Sequence, residues 1–99
     1  MDIKLINRGT EGELLLSGRI DAGNADDFAE LVLKMADRFK DITLNMAGLK
    51  YISSAGLRGI QRLYMKVHSN GGELKAINVG EYILEVFELT GFAEMLNLA

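Results

Sequence analysis

Two hydrophobic periods alternate along this chain, and that alternation most limits what it can fold into. Phe28, Leu31, Val32, Met35 and Phe39 recur at i, i+3, i+4, i+7 and i+11, the stripe of an amphipathic helix. Runs of strand character flank it. Residues 2 to 8 alternate, with Ile3 and Leu5 around Lys4, and Glu13 to Ile20 is built on Leu14, Leu15 and Leu16. The short turn between them, Arg8-Gly9-Thr10-Glu11-Gly12, predicts an antiparallel hairpin. Asp21-Ala22-Gly23 breaks the second strand. Asn24 is placed to cap the helix, with Asp26 and Asp27 in its first turn, where negative charge suits the helix dipole.

The second half repeats the pattern. Asp41 to Met46 reads as a strand and Ala47-Gly48-Leu49-Lys50 as a connection. Leu57, Ile60, Tyr64 and Val67 mark a second helix, stopped at Ser69-Asn70-Gly71-Gly72, where Asn and Gly accept the left-handed conformation. Leu74 to Val79 is a further strand. Glu81 to Leu89 is a third helix, with Ile83, Leu84, Val86 and Phe87 on its apolar side, broken at Thr90-Gly91. Phe92, Met95 and Leu96 close the chain in a short turn or helix. Proline is absent, so glycine supplies the punctuation.

The order β β α β α β α implies parallel strand pairs joined by right-handed crossovers, plus one antiparallel element from the hairpin. The expected fold is therefore α/β, with a mixed sheet of four to five strands and three to four helices. The 99 residues leave room for one domain, residues 1–99. Roughly 65% of the unfolded surface can be buried at this size, enough to fold without staples. With 48% hydrophobic and 25% charged residues, the composition is globular. A net charge of -3 gives little pull towards nucleic acid or an anionic membrane. Cysteine is absent, so disulfides and thiolate metal sites are excluded. The stretch MDIKLINRGTEGE has no apolar core of signal-peptide length, and no window approaches the roughly 20 apolar residues of a membrane helix. A soluble, cytoplasmic protein is expected.

In open α/β sheets, sites gather where strands end and helices begin. Ser53 and Ser54, within YISSAGLRGI, sit at such a junction. A hydroxyl there can cap the helix, worth about 1 kcal/mol. A serine nucleophile would need a base and a group to orient it. The only histidine, His68, lies near the far end of the same helix, ~20 Å away at ~1.5 Å per residue, and reads as a cation near a helix C-terminus. The G-x-S-x-G elbow is absent, Gly56-Leu57-Arg58-Gly59 lacks the spacing of a phosphate-binding loop, and no metal-ligand constellation is present. No pair of carboxylates marks an acid/base couple, so no catalytic residue, metal or cofactor is assigned. Two charge stripes remain. Arg58, Arg62 and Lys66 share one helix face, beginning beside Ser54, and Glu81, Glu85 and Glu88 share another. Either can be ordinary solvated surface.

Taken together, these segments resemble the STAS domains, and within them the bacterial anti-sigma factor antagonists. The resemblance spans nearly the whole chain. Gly18-Arg19-Ile20-Asp21 is similar to the family's Gly-x-apolar-Asp at the end of its second strand. Leu44-Asn45-Met46 and Tyr51-Ile52-Ser53-Ser54-Ala55-Gly56-Leu57 are similar to its strand, loop and signature. Gly71-Gly72-Glu73-Leu74 and Phe87-Glu88-Leu89-Thr90-Gly91-Phe92 are similar to its closing strand and C-terminal helix. The resemblance implies the STAS fold and a non-enzymatic binding module. It implies that Ser54 is a phosphoacceptor, with Ser53 a possible second one. Its implied partners are an anti-sigma factor with serine kinase activity and a serine phosphatase, with no direct contact to nucleic acid or membrane.

The partner-binding residues expected on this basis are Asp21, Gly23, Asn24, Ser53, Ser54, Ala55, Gly56, Arg58 and Arg62. The small residues Ala55 and Gly56 would allow close approach of the partner. Two positions depart from the signature: Ser53 stands where Asp is common, and Ala55 replaces a second hydroxyl residue. The leading reading is an antagonist that binds its anti-sigma factor when unphosphorylated and lets go when phosphorylated. The alternative is a STAS scaffold subunit of a transport or stress-signalling assembly, with Ser54 only a cap. A third is a nucleotide-binding protein or hydrolase using the same junction.

Overall fold

The computed structural model describes residues 1–98; Ala99 lies outside the described residues. Strands β1 (Asp2–Arg8) and β2 (Glu11–Ile20) form the expected hairpin, followed by α1 (Ala25–Arg38), β3 (Asp41–Ile52), α2 (Ser54–Ser69), β4 (Leu74–Ile77), α3 (Glu81–Thr90), α4 (Phe92–Met95) and β5 (Asn97–Leu98). Among the described residues the sheet has five strands, in the order β1-β2-β3-β4-β5. The β1–β2 pair is antiparallel and the others are parallel.

Because each crossover moves one strand further in the same direction, right-handedness sends every helix to one side of the sheet. Burial follows that division. Leu14, Leu16 and Ile20 of β2 and Ile42, Leu44 and Met46 of β3 are buried with Phe28 and Val32 of α1, Ile60 and Leu63 of α2, and Ile83 and Phe87 of α3. The opposite face is open and polar. There Arg8 pairs with Glu13 at 3.0 Å, Asn45 donates to Glu13 at 3.0 Å, and Asn78 donates to Asn45 at 3.2 Å.

Glu13 responds to this setting. The Asn45 amide holds its carboxyl below the ordinary range; burial opposes the shift, and the hydrogen bond and charge of Arg8 add to it. A carboxyl with a lowered folded pKa stabilises above its unfolded pKa, and the contribution is lost as pH falls through the folded value. Urea unfolding across the acid range should therefore show a smaller acid-side loss in Glu13→Gln than in the wild type. Identical pH profiles would place the acid sensitivity elsewhere.

Three local expectations are corrected. The segment Ala47 to Lys50 is part of β3, not a connection. Between Leu15 and Ser17, and again between Gly18 and Arg19, β3 carries one residue more than β2. Two bulges therefore break the period of two while the ladder continues. Gly48 makes the first one possible, since a Cβ there would lie 2.7 Å from Ser17 Cβ. In α1, Leu31 is 38% exposed, while Ala25, Ala29 and Ala36 are buried beside Phe28 and Val32. The cause is α2: a Cβ on Gly59 would come within 3.2–3.3 Å of the Phe28 ring and Ala29 Cβ. Close helix packing thus favours the small side chains over the longer leucine. Finally, Asn24 stands at the N-cap of α1 without making a side-chain cap bond.

Candidate functional site

The bulges bring the ends of β2 and β3 level. Ile20 pairs with Ile52, and the Ser53 N–H donates to the Ile20 carbonyl at 2.8 Å. The loop after β2 therefore lies beside the start of α2, as the sequence-based site required.

The two serines have separate jobs. Ser53 is extended, with φ -85° and ψ 170°, and its Oγ accepts from the Gly56 N–H at 3.1 Å. It is the N-cap. Ser54 is the first residue of α2 and is exposed. Its hydroxyl has no hydrogen-bond partner among the described residues. Asp, which the signature favours at position 53, is also a strong N-cap residue. Serine there keeps the cap and removes a negative charge next to Ser54.

The neighbouring loop is internally tied. Asp21 Oδ1 accepts from the N–H groups of Gly23 at 2.9 Å and Asn24 at 3.1 Å. Asn24 Oδ1 accepts from the Asp21 N–H at 2.9 Å, and its amide donates to the Arg19 carbonyl at 2.9 Å. The side chains of Asp21 and Asn24 thus hold the loop in shape. This explains why Asn24 does not cap α1: its oxygen is already engaged with Asp21.

Gly56 faces inward. It is buried, and a Cβ there would lie 2.8 Å from both Ile20 Cγ2 and Ile52 Cγ1. Its missing side chain seats α2 on the sheet ends; it does not make room for a partner. Ala55 is half-buried against the core, while Gly23 is exposed.

The basic stripe of α2 divides as well. Lys66 is held by Asp37 of α1 at 2.7 Å. Arg62 lines a groove between α1 and α2 with Asp26, Glu30 and Asp37. Arg58 is exposed one turn beyond Ser54 and has no ion-pair partner among the described residues. Arg62 likewise has no ion-pair partner among the described residues, and Arg58 is the nearer of the two to Ser54 in the helix. His68, at the far end of α2, stacks on Tyr64 with ring centroids 5.7 Å apart.

Sequence reasoning missed Arg19 and Tyr51. They pair across β2 and β3 just after the second bulge, and the Arg19 guanidinium lies 4.4 Å from the Tyr51 ring centroid. Both fall inside motifs that point first to other residues. Only the bulged register brings them together beside the Asp21 loop. Among the described residues, no group of three or more His, Cys, Asp or Glu could hold a metal, and no helix is long and apolar enough to cross a membrane.

Comparison with known proteins identifies the family and the fold. The profile of the STAS domain matches residues 5–99. BtrV of Bordetella bronchiseptica, a candidate anti-sigma factor antagonist by its name, is 31% identical over 98% of this chain and 86% of its own. The anti-sigma-B factor antagonist of Bacillus subtilis is 25% identical over 85% of this chain and 77% of its own. Among solved structures, the unphosphorylated form of the anti-sigma factor antagonist SpoIIAA superposes with a TM-score of 0.85 at 15% identity, covering 99% of this chain and 88% of that one. The phosphorylated form of SpoIIAA, a Bacillus cell fate determinant, gives 0.78 at 15% identity, covering 99% and 91%. At that identity the structural likeness speaks for the fold alone.

Proposed function

Because the chain belongs to the STAS domain family, we propose that it is an anti-sigma factor antagonist whose complex is broken by phosphate on Ser54. Unphosphorylated, it binds an anti-sigma factor that carries serine kinase activity, and so frees the sigma factor. A serine phosphatase returns it to the binding form. The protein acts in the cytoplasm as a binding module, not as an enzyme. The names of its relatives support the antagonist role.

The observation that carries the switch is the division between the two hydroxyls. Ser53 Oγ is committed to the Gly56 N–H, whereas Ser54 is exposed at the first position of α2. A phosphoserine adds about -1.5 to -2 charges and three acceptor oxygens. The start of a helix tolerates that charge, because unpaired N–H groups and the dipole favour anions. Arg58, one turn further on, supplies a counter-charge. The fold therefore keeps its shape while its surface changes. Against a partner packed over this patch, a desolvated dianion costs several kcal/mol.

Peptide-resolved mass spectrometry after incubation with the cognate kinase and ATP tests the assignment. Phosphate is expected on Ser54, and a Ser54→Ala protein should remain unlabelled. Label on Ser53 alone, or undiminished label in Ser54→Ala, would overturn it.

A further inference from the structure

The edge strand β1 plays no part in the site. It has one neighbour, β2, and an unbroken register from Asp2 to Arg8. Its free side therefore presents a straight row of backbone N–H and C=O groups over seven residues, roughly 23 Å at ~3.3 Å per residue. Edge strands usually carry a device against pairing, such as proline, a bulge or an inward charge. This chain has no proline, β1 pairs without a bulge, and Lys4 is its one lysine. Leu5 and Ile6 are 37% and 36% exposed.

We propose that β1 pairs with β1 of a second copy, antiparallel, about a two-fold axis at Leu5. The sequence DIKLINR is complementary to itself in that register. Asp2 of each copy faces Arg8 of the other, Lys4 faces Ile6, Ile3 faces Asn7, and the two Leu5 residues meet at the centre. The neighbouring registers fail on charge. An axis at Lys4 sets Lys4 against Lys4, and one at Ile6 sets Lys4 against Arg8 twice. Like charges directly opposite are destabilising and opposite charges favourable. Arg8 already contacts Glu13, yet 53% of its side chain stays exposed to meet Asp2.

The symmetry has a consequence for binding. A two-fold perpendicular to the sheet keeps the helices of both copies on one side and joins the sheets edge to edge. The ends of β2 that carry the Asp21 loops then point in opposite directions. Each copy keeps its own Ser54 surface open, so the pair presents two partner sites at opposite ends.

Sedimentation equilibrium of the full chain, from low to high micromolar concentration, tests this. A concentration-dependent dimer is expected. Leu5→Lys should abolish it, and Asp2→Arg and Arg8→Asp should each weaken it at least tenfold. An equimolar mixture of those two variants should restore it, because each then meets an opposite charge. Circular dichroism melts confirm that each variant is folded. A wild type that stays monomeric throughout overturns the proposal, as does a dimer indifferent to Leu5→Lys. Failure of the mixture to recover overturns the register.

Discussion

Ser54→Asp should weaken binding to the anti-sigma partner at least tenfold, about 1.4 kcal/mol, and full phosphorylation should weaken it further. The carboxylate stands in for part of the phosphate charge at an exposed first-turn position, where it suits the helix dipole. Melting behaviour should therefore match the wild type. Ser53→Ala should behave in the opposite way. It removes the cap on the Gly56 N–H, costs about 1 kcal/mol of stability, and leaves the Ser54 hydroxyl in place. Arg58→Glu should also weaken binding at least tenfold, because Arg58 is exposed one turn from Ser54 and no acidic side chain among the described residues pairs with it. Lys66, held by Asp37, should matter much less. Titration calorimetry on the purified partner measures all four. Wild-type affinity in both Ser54→Asp and Arg58→Glu would leave the start of α2 without a role and favour the scaffold reading.

The second large effect concerns the fold. Gly72→Ala should cost at least about 3 kcal/mol, a large share of the roughly 5–15 kcal/mol that holds a domain together. A Cβ at Gly72 would fall on the Lys40 carbonyl oxygen, with Asp41 Oδ1 3.3 Å away. The obstacle is backbone, and the backbone there is pinned. The Lys40 N–H donates to the Thr10 carbonyl at 3.0 Å, the Glu73 N–H to Asp41 Oδ1 at 2.8 Å, and the Ile42 N–H to the Glu73 carbonyl at 3.0 Å. The adjacent Gly71 is the control. It sits at φ +78°, and a methyl group there would meet nothing within 4 Å, so Gly71→Ala should cost only the left-handed backbone term, about 1–2 kcal/mol. Urea denaturation of the two variants separates crowding from strain. Equal losses would show that the turn relaxes around the Gly72 methyl.

Both glycines belong to one predicted helix stop, and the sequence does not rank them. Left-handed backbone is a local property, and Asn70-Gly71-Gly72 signals it. The Lys40 carbonyl is brought to Gly72 by a pairing between distant segments. The same distinction runs through the site. That a helix begins near Ser54 was legible, because the change from strand to helix period falls at Ile52. Which serine caps was not, since either hydroxyl can reach a free N–H of the first turn. Phi and psi at Ser53 decided it.

Local pattern along the chain set the order of elements, the hairpin, the three main helix starts and the junction that carries the two serines. Those features rest on hydrophobic period and on glycine placement, which act between residues a few positions apart. Long-range packing settled the rest. It kept β3 in the ladder through two bulges, because β2 continued to satisfy its backbone hydrogen bonds. It turned Leu31 outward, because Gly59 let α2 pack against Phe28 and Ala29 of α1. It committed Asp21 and Asn24 to each other and seated Gly56 on Ile20 and Ile52, because the ends of β2 and β3 finish level. Each of these depends on what a distant segment places beside the residue, and no local pattern encodes that neighbour.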